Sequence, residues 1–189
     1  MNTREQLLNQ AEFLLRERGY AAFSYADLAS AVGIRKASIH HHFPTKEALG
    51  ITIVESHLAE LTSRLQQIQT EQPTLAMQIM AFSTLLSEKS ADRTLPLCAA
   101  LAAEVTVLPE RLQTLTRRFF DIQLQWLQTA IASAIARGEC TLDAQRIGVE
   151  AEHLMALIDG VALVARGTGT AYALDSEIVN RLLGISANR

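Results

Sequence analysis

Apolar residues recur at intervals of three and four along almost the whole chain, the spacing of one face of an α-helix. The β-branched residues form no alternating apolar and polar runs of the kind that strands show. Glycine and proline, which interrupt helices, contribute only 9 and 4 of the 189 residues. The pattern therefore predicts an all-α fold of about nine helices, without internal repeats.

The first part of the chain divides into short helical segments. An apolar stripe that begins at Leu7 predicts a first helix, which Gly19 ends. Ser24 followed three residues later by Asp27 resembles a capping box and predicts the start of a second helix. Gly33 tolerates the positive backbone angle of a tight turn, so a third helix can follow it closely. Two short helices around such a turn are typical of a helix-turn-helix.

The third helix combines an apolar side with a small, polar and cationic surface. Lys36 to His42 is the length of one short helix, which Pro44 ends. Ile39 and Phe43 lie four residues apart, so they share a face that packs inward. The remaining positions suit the major groove, because small residues permit close approach and the others bind bases or phosphates. These positions are Lys36, Ala37, Ser38, His40 and His41.

Residues on either side of the third helix extend the predicted DNA contacts. Thr45 is a good N-cap for a further helix, whose first-turn amides can clamp a phosphate. Lys46 opposes the dipole of that helix, which calls for a phosphate or a carboxylate such as Glu47; we favour the phosphate. Arg35 is expected to contact DNA, with a solvated surface charge as the alternative. The flanking DNA-binding residues are Ser24, Arg35, His42, Thr45 and Lys46.

The three consecutive histidines, His40 to His42, raise the possibility of a metal site. Neighbouring positions on a helix point about 100° apart, so three in a row cannot converge on one ion. DNA contact and packing are the better interpretation, and we predict no metal and no cofactor.

Three motifs between residues 4 and 50 carry a resemblance to a known family. The Gly-Tyr or Gly-Phe that ends that family's first helix appears in Arg18-Gly19-Tyr20. Its Asp-Ile-Ala and Ala-Gly-Val appear as Asp27-Leu28-Ala29 and Ala31-Val32-Gly33-Ile34. Its recognition helix and the segment that follows align with Arg35 through Leu49. In these motifs the segment resembles the DNA-binding domain of TetR-family transcriptional regulators.

The sequence departs from the family pattern at two positions. Arg35 replaces the usual capping serine, and His40 replaces the tyrosine that typically reaches a phosphate. Both changes add hydrogen-bond donors, so they suggest an altered operator preference. His42 matches the family position that packs and contacts a phosphate. The resemblance implies a DNA-binding domain at residues 1–46 and a ligand-binding and dimerisation domain at residues 47–189.

The chain beyond residue 45 predicts longer helices. The helix that Thr45 starts continues on apolar positions through Ile68 and joins the two domains, until Gln72-Pro73 interrupts it. A helix that Pro109 opens has two apolar stripes, so it must be largely buried. The other predicted features are a helix from Leu75 to Leu86, a polar run at 87–94, a small-residue helix at 97–105, a break at Arg137-Gly138, helices capped by Asp143 and Asp175, and a frayed end at 187–189.

The last two long helices carry more apolar surface, and smaller side chains, than a covering helix needs. We expect them to pack against a second copy of the chain, with Ile158 in the interface. The resemblance implies the same, as a four-helix bundle about a two-fold axis that sets recognition helices about 34–36 Å apart. The alternative is that these residues close a monomeric core.

The resemblance also implies a ligand cavity, for which no residue-level motif transfers. Pockets are mostly apolar with a few polar anchors. For each residue taken alone, ordinary core packing or solvent exposure is the stronger interpretation. The candidate ligand-binding residues are Met77, Phe82, Cys98, Leu101, Glu104, Arg117, Phe119, Trp126, His153 and Met155.

Cysteine chemistry adds one further alternative. Cys98 and Cys140 fit no zinc spacing, and we expect both to be reduced. Cys98 has no cation beside it in sequence, so a buried inert thiol is favoured over a redox or electrophile sensor. No secretory signal or apolar run of about 20 residues occurs, which predicts a cytoplasmic protein without a membrane segment.

Charge is divided unevenly along the chain, whose net charge is -3. Residues 1–46 hold six Lys or Arg against four Asp or Glu, which gives +2 and leaves -5 for the remainder. This division fits a cationic DNA-facing end on an acidic body. Taken with the resemblance to the TetR family, which implies a dimer and an effector cavity, this division leads us to expect a ligand-responsive regulator, most simply a repressor. It would bind a double-stranded operator as a homodimer and be released by a small-molecule effector. The alternative is a helical small-molecule-binding protein or enzyme with a vestigial DNA-binding unit, although no catalytic constellation is present.

Overall fold

The computed structural model describes residues 2–87 and 94–185, and these residues contain nine α-helices and no strand. This confirms the all-α prediction. The described part of the chain also contains short 3₁₀ turns at Val105–Val107 and Ala144–Arg146. None of the described helices is both long and apolar enough to cross a membrane. The helices are α1 (Thr3–Arg18), α2 (Tyr25–Val32), α3 (Lys36–His42), α4 (Lys46–Glu71), α5 (Leu75–Ser87), α6 (Leu97–Ala103), α7 (Glu110–Ala136), α8 (Ile147–Thr168) and α9 (Ser176–Leu183).

Local signals at the helix ends are confirmed in the first part of the chain. Gly19 ends α1 at φ 93°, and Gly33 ends α2 in the left-handed region at φ 74°. Ser24 and Asp27 form the expected capping box, in which each side chain accepts from the other's backbone N–H. Thr45 accepts from the Ala48 backbone N–H at 3.0 Å and caps α4. These short-range hydrogen bonds set where each helix begins and ends.

Two of the predicted helix boundaries need correction. Two further predictions concern residues that the structure does not describe, in part or entirely. Asp143 caps the 3₁₀ turn that leads into α8, because its carboxylate accepts from the Gln145 backbone N–H. Helix α6 ends at Ala103 instead of residue 105, and the chain continues in the 3₁₀ turn at Val105–Val107. The polar run at 87–94 falls largely, and the frayed end at 187–189 entirely, outside the described residues.

The chain folds into two compact units, each of which is built from two separate segments of the sequence. The first unit combines Met1–Glu60 with Thr94–Phe119, and the second combines Leu61–Arg93 with Phe120–Arg189. Helices α4 and α7 each contribute to both units. In the first unit α1 packs against both α2 and α6. The segment at residues 1–46 that the sequence predicts to bind DNA is therefore only part of a larger compact unit.

The core of the second unit contains the helix that sequence analysis assigned to the dimer interface. Ile158 on α8 is fully buried within the single chain, so its predicted place in the interface is wrong. The exposed apolar side chains of α8 lie on another side of the helix, at Val149, Leu163 and Val164. Sequence analysis identified more apolar surface on α8 than a covering helix needs, but it did not show which side the protomer itself covers.

Candidate nucleic-acid interface

The third helix presents the surface that the sequence predicted. Ile39 is fully buried and Phe43 is 3% exposed, so the inward face of α3 is confirmed. Arg35 occupies the N-cap position without a side-chain capping bond and is exposed. The other exposed residues of the helix are Lys36, Ala37, Ser38, His40 and His41. Small side chains beside cationic and polar ones on a rigid helix can approach base edges and phosphates.

The end of α3 is held by a residue that sequence analysis did not single out. The hydroxyl of Tyr25 donates to the Phe43 carbonyl at 2.9 Å, and its ring lies 4.9 Å from the ring of His40. Burial, with a smaller contribution from Tyr20, raises the pKa of Tyr25 to about 12, so the hydroxyl remains a donor. An aromatic residue just after an N-cap is a weak sequence signal for this role.

His40 takes part in the same arrangement. Its Nδ1 lies 3.1 Å from the Pro44 carbonyl oxygen, which can accept a hydrogen bond only when Nδ1 carries the proton. In that state Nε2 of the neutral ring is left as an acceptor on an exposed residue. His40 therefore both closes the end of α3 and can bind a donor group.

The remaining histidines and a cation from α1 complete this end of the surface. The rings of His41 and His42 meet edge to face at 5.5 Å, and His42 is half-buried. The guanidinium of Arg4 lies over the Phe43 ring at 5.2 Å. Among residues 2–87 and 94–185, no group of three or more potential ligands is placed to hold a metal ion.

Lys46 has its partners within the first unit, and its predicted phosphate contact stays a prediction. Its ammonium donates to the Phe23 carbonyl and lies 4.6 Å and 4.4 Å from the ring centroids of Tyr20 and Phe23. Burial lowers the pKa of Lys46, against the opposing effects of Glu104 and Asp27. A cation in the first turn of α4 is unfavourable because the N-terminal end of the helix dipole is positive. The Phe23 carbonyl and the two ring faces offset this by supplying electron-rich partners.

The hydroxyls of Ser24 and Thr45 are already occupied by the backbone. Ser24 accepts from the Ala26 and Asp27 N–H groups and donates to the Asp27 carboxylate at 2.7 Å. These hydrogen bonds from Ser24 lower the pKa of Asp27, so the capping carboxylate stays charged. Both residues remain exposed. Their first role is to fix α2 and α4.

The candidate ligand-binding residues are divided between the two units. Cys98, Leu101, Glu104, Arg117 and Phe119 belong to the first unit. The second unit holds Met77, Phe82, Trp126, His153 and Met155. Six members of the set are buried, namely Phe82, Cys98, Leu101, Phe119, Trp126 and Met155.

The other four candidates are not buried in the interior. Met77 is 47% exposed, and Arg117 is exposed with its guanidinium donating to the Thr114 hydroxyl. His153 is exposed on α8 with its ring beside the Glu150 carboxylate. Glu104 binds the backbone of the loop that connects α1 and α2. The polar side chains of Arg117, His153 and Glu104 bind other protein groups, which helical spacing does not reveal.

The second unit brings Phe82 and Trp126 together. Their ring centroids are 5.2 Å apart, and the indole N–H of Trp126 donates to the Leu65 carbonyl at 3.2 Å. Both free cysteines are buried, Cys98 to 1% exposure. Burial of the Cys98 thiol favours the inert assignment over a sensor, because reaction requires access.

An open apolar groove of about 500 Å³ runs along the outside of α8 and the segment that follows it. Apart from Thr170, the residues that line it are glycine or small or branched aliphatic residues. The groove is lined by Ala156, Leu157, Gly160, Val161, Val164, Ala165, Thr170, Ala171 and Ala173.

Comparison with known proteins gives consistent matches. Residues 7–51 match the model of the family described as bacterial regulatory proteins, tetR family. A solved TetR-family regulator from Agrobacterium tumefaciens is 32% identical, with a TM-score of 0.80 over 95% of this chain and 93% of that one. The transcriptional regulator CymR of Pseudomonas putida is 25% identical over 143 residues, 74% of this chain and 70% of CymR. The repressor NemR of Escherichia coli is 34% identical over 67 residues, which span only about a third of either protein (35% and 34%).

Proposed function

Because this chain belongs to the TetR family of helix-turn-helix transcriptional regulators, we propose that it is a repressor. In this proposal a homodimer binds a near-palindromic DNA operator, and a small-molecule effector releases it. The observation that carries the proposal is the exposed surface of α3, where Lys36, Ala37 and Ser38 lie on a helix anchored by buried Ile39. Repression is supported by NemR, a transcriptional repressor to which this chain is similar over 67 residues.

Residues on α3 divide between reading bases and binding phosphates. Ser38, with Ala37 beside it, can approach a base edge, so Ser38 contributes sequence preference. Lys36 and Arg35 at the start of the helix bring positive charge to the backbone phosphates. The excess of +2 in residues 1–46 supports this assignment, since phosphate contacts supply most of the sequence-independent affinity.

The outside of α8 supports a homodimer. Leu163 and Val164 are 59% and 63% exposed, and the groove beside them is apolar. Burying such a surface against the same surface of a second chain forms a two-fold interface. One helix-turn-helix reads few base pairs, whereas two on a dimer read successive major grooves about 34–36 Å apart. The symmetry of the protein then requires a near-palindromic operator.

The effector is proposed to bind among the buried apolar residues of the second unit, with Phe82, Trp126 and Met155 as the remaining candidates. An effector lowers operator affinity only by as much as it prefers the released conformation, and a ~100-fold loss requires about 2.7 kcal/mol of coupling.

Selection of duplexes from a random pool tests the proposal. The dimer should enrich a sequence with two related half-sites one helical turn apart. Ser38→Ala should change the selected bases at particular positions, and Lys36→Gln should weaken binding to all duplexes about equally. Arg111→Gln is the matched control, because it removes one positive charge from an exposed pair with Glu55. Enrichment of no duplex by the wild-type protein would refute the proposed function.

A further inference from the structure

Glu104 follows α6 directly, and its carboxylate lies against the loop that joins α1 to α2. Oε2 accepts a hydrogen bond from the Ala21 backbone N–H at 3.0 Å. A Cβ atom added at Gly19 would collide with Oε1 of the same carboxylate. The side chain thus occupies the space above Gly19 that any other residue at that position would fill.

The other end of α6 is attached to the same part of the molecule. The guanidinium of Arg16, which is 5% exposed, donates from Nε to the Leu95 carbonyl at 2.8 Å. In return the Leu95 backbone N–H donates to the Arg16 carbonyl at 3.4 Å. Residues on both sides of α6 therefore hold the end of α1 and the loop that follows it.

Lys46 holds the far side of that loop. Its ammonium donates to the Phe23 carbonyl, one residue before the Ser24 that caps α2. Glu104 is close enough to Lys46 to favour its charged form. A carboxylate and an ammonium thus bracket residues 19–23 from two different helices. Since this loop leads directly into α2, its conformation sets how α2 is attached to α1.

We propose that Glu104 is a positioning residue for DNA binding, whose carboxylate couples α6 to the helix-turn-helix by holding the α1–α2 loop. The inference rests on the proposed function and adds a route by which a displacement of α6 reaches α3. Release of the carboxylate frees the Ala21 N–H and lets the loop sample other conformations. Operator binding then has to return the loop to its original conformation, and the free energy spent on ordering it lowers the affinity.

The experiment measures two quantities on Glu104→Ala: affinity for a selected operator and hydrogen exchange at the Ala21 amide. We expect about tenfold weaker binding, the effect of losing one charge-assisted hydrogen bond, together with faster exchange at Ala21. Glu104→Gln keeps an acceptor oxygen of the same reach and should restore most of the affinity. Glu110→Ala is the matched control, because it removes an exposed carboxylate from the next helix.

Unchanged operator affinity in Glu104→Ala would overturn the proposal. Weaker binding with Ala21 still protected as in the wild type would overturn it as well, since the loss would not pass through this contact. If Glu104→Ala does not fold, Glu104→Asp replaces it under the same criteria, because it keeps the charge but is one methylene shorter. Failure of the wild type to select any duplex would overturn the proposed function first, and with it this role of Glu104.

Discussion

The hydroxyl of Tyr25, at the start of α2, donates to the carbonyl of Phe43, just after the end of α3. This hydrogen bond connects the first residue of α2 to the residue that follows α3, so it joins the two outer ends of the helix-turn-helix. The bond is buried, since Tyr25 is only 6% exposed, so it gives the Phe43 carbonyl a partner where water has little access.

Tyr25→Phe should lower the free energy of unfolding by about 1 kcal/mol, because the Phe43 carbonyl loses its partner while the ring packing is kept. A chain of this size should then melt roughly 2–4 °C lower. Operator affinity should fall as well, since the end of α3 is less well held. Urea denaturation and a binding titration would measure both effects. No change in either quantity would show that the hydrogen bond does not contribute.

Lys46 and Lys36 should differ in how they affect the salt dependence of DNA binding. Lys36→Met removes a phosphate contact in each subunit and should reduce the slope of log affinity against log salt by about 0.9 for each contact. Lys46→Met should leave the slope unchanged and instead lower the melting temperature, because its ammonium binds the Phe23 carbonyl. Titrations at several salt concentrations distinguish the two. A reduced slope for Lys46→Met would restore the phosphate contact that the sequence suggested.

Asp159 should make stability depend on pH. Burial raises its pKa from 3.8 to about 6, and its Oδ1 has no hydrogen-bond partner. The folded state therefore holds the proton more tightly than the unfolded state, so the contribution of this carboxyl to stability is greatest below pH 3.8 and is lost as pH rises through 6. The full difference is about 3 kcal/mol.

Asp159→Asn should accordingly stabilise the protein at pH 7.5 and have no effect near pH 3.5, in unfolding curves measured at both values. Asp121→Asn is the control, because Asp121 is exposed on α7. Equal stabilisation of Asp159→Asn at the two pH values would contradict the assignment to this carboxyl.

Two substitutions on α8 should separate folding from dimerisation. Val164→Glu places a charge on an exposed apolar surface and should give a folded monomer, half the wild-type mass by light scattering. Ile158→Glu buries a charge in the core at a cost of several kcal/mol and should prevent folding. A Val164→Glu protein that remains a dimer would exclude this side of α8 from the interface.

Gly19 and Glu104 should show coupled substitution effects. Gly19→Ala forces an L residue to φ 93° and drives a methyl group into the Glu104 carboxylate. In a Glu104→Ala background only the backbone strain remains, so Gly19→Ala should destabilise less there. A double-mutant cycle of unfolding free energies measures the difference, which should be about 1 kcal/mol. Additive effects would mean that the two residues do not share this space.

Features encoded over a few residues were predictable from the sequence. Gly19, the Ser24 capping box and Gly33 act on their immediate neighbours, so their spacing located α1 to α3. The inward face of α3 followed from Ile39 and Phe43 because both lie on one short helix.

Features that depend on distant parts of the chain were not predictable. Lys46 turns toward Phe23, 23 residues earlier, and Glu104 binds Ala21, 83 residues earlier. Ile158 and Val164 are equally apolar, and only the packing of the protomer shows that the first is covered and the second is exposed. A pattern along one helix reports that it has an apolar side, not what lies against that side.

The measurement that tests the account most directly is the mass and affinity of the protein on a selected operator, compared with a scrambled duplex of the same length. The account predicts two chains for each operator, at least about 10³-fold weaker binding to the scrambled duplex, and affinity that falls steeply with salt. Equal binding to both duplexes, or one chain for each operator, would contradict sequence-specific recognition by a dimer.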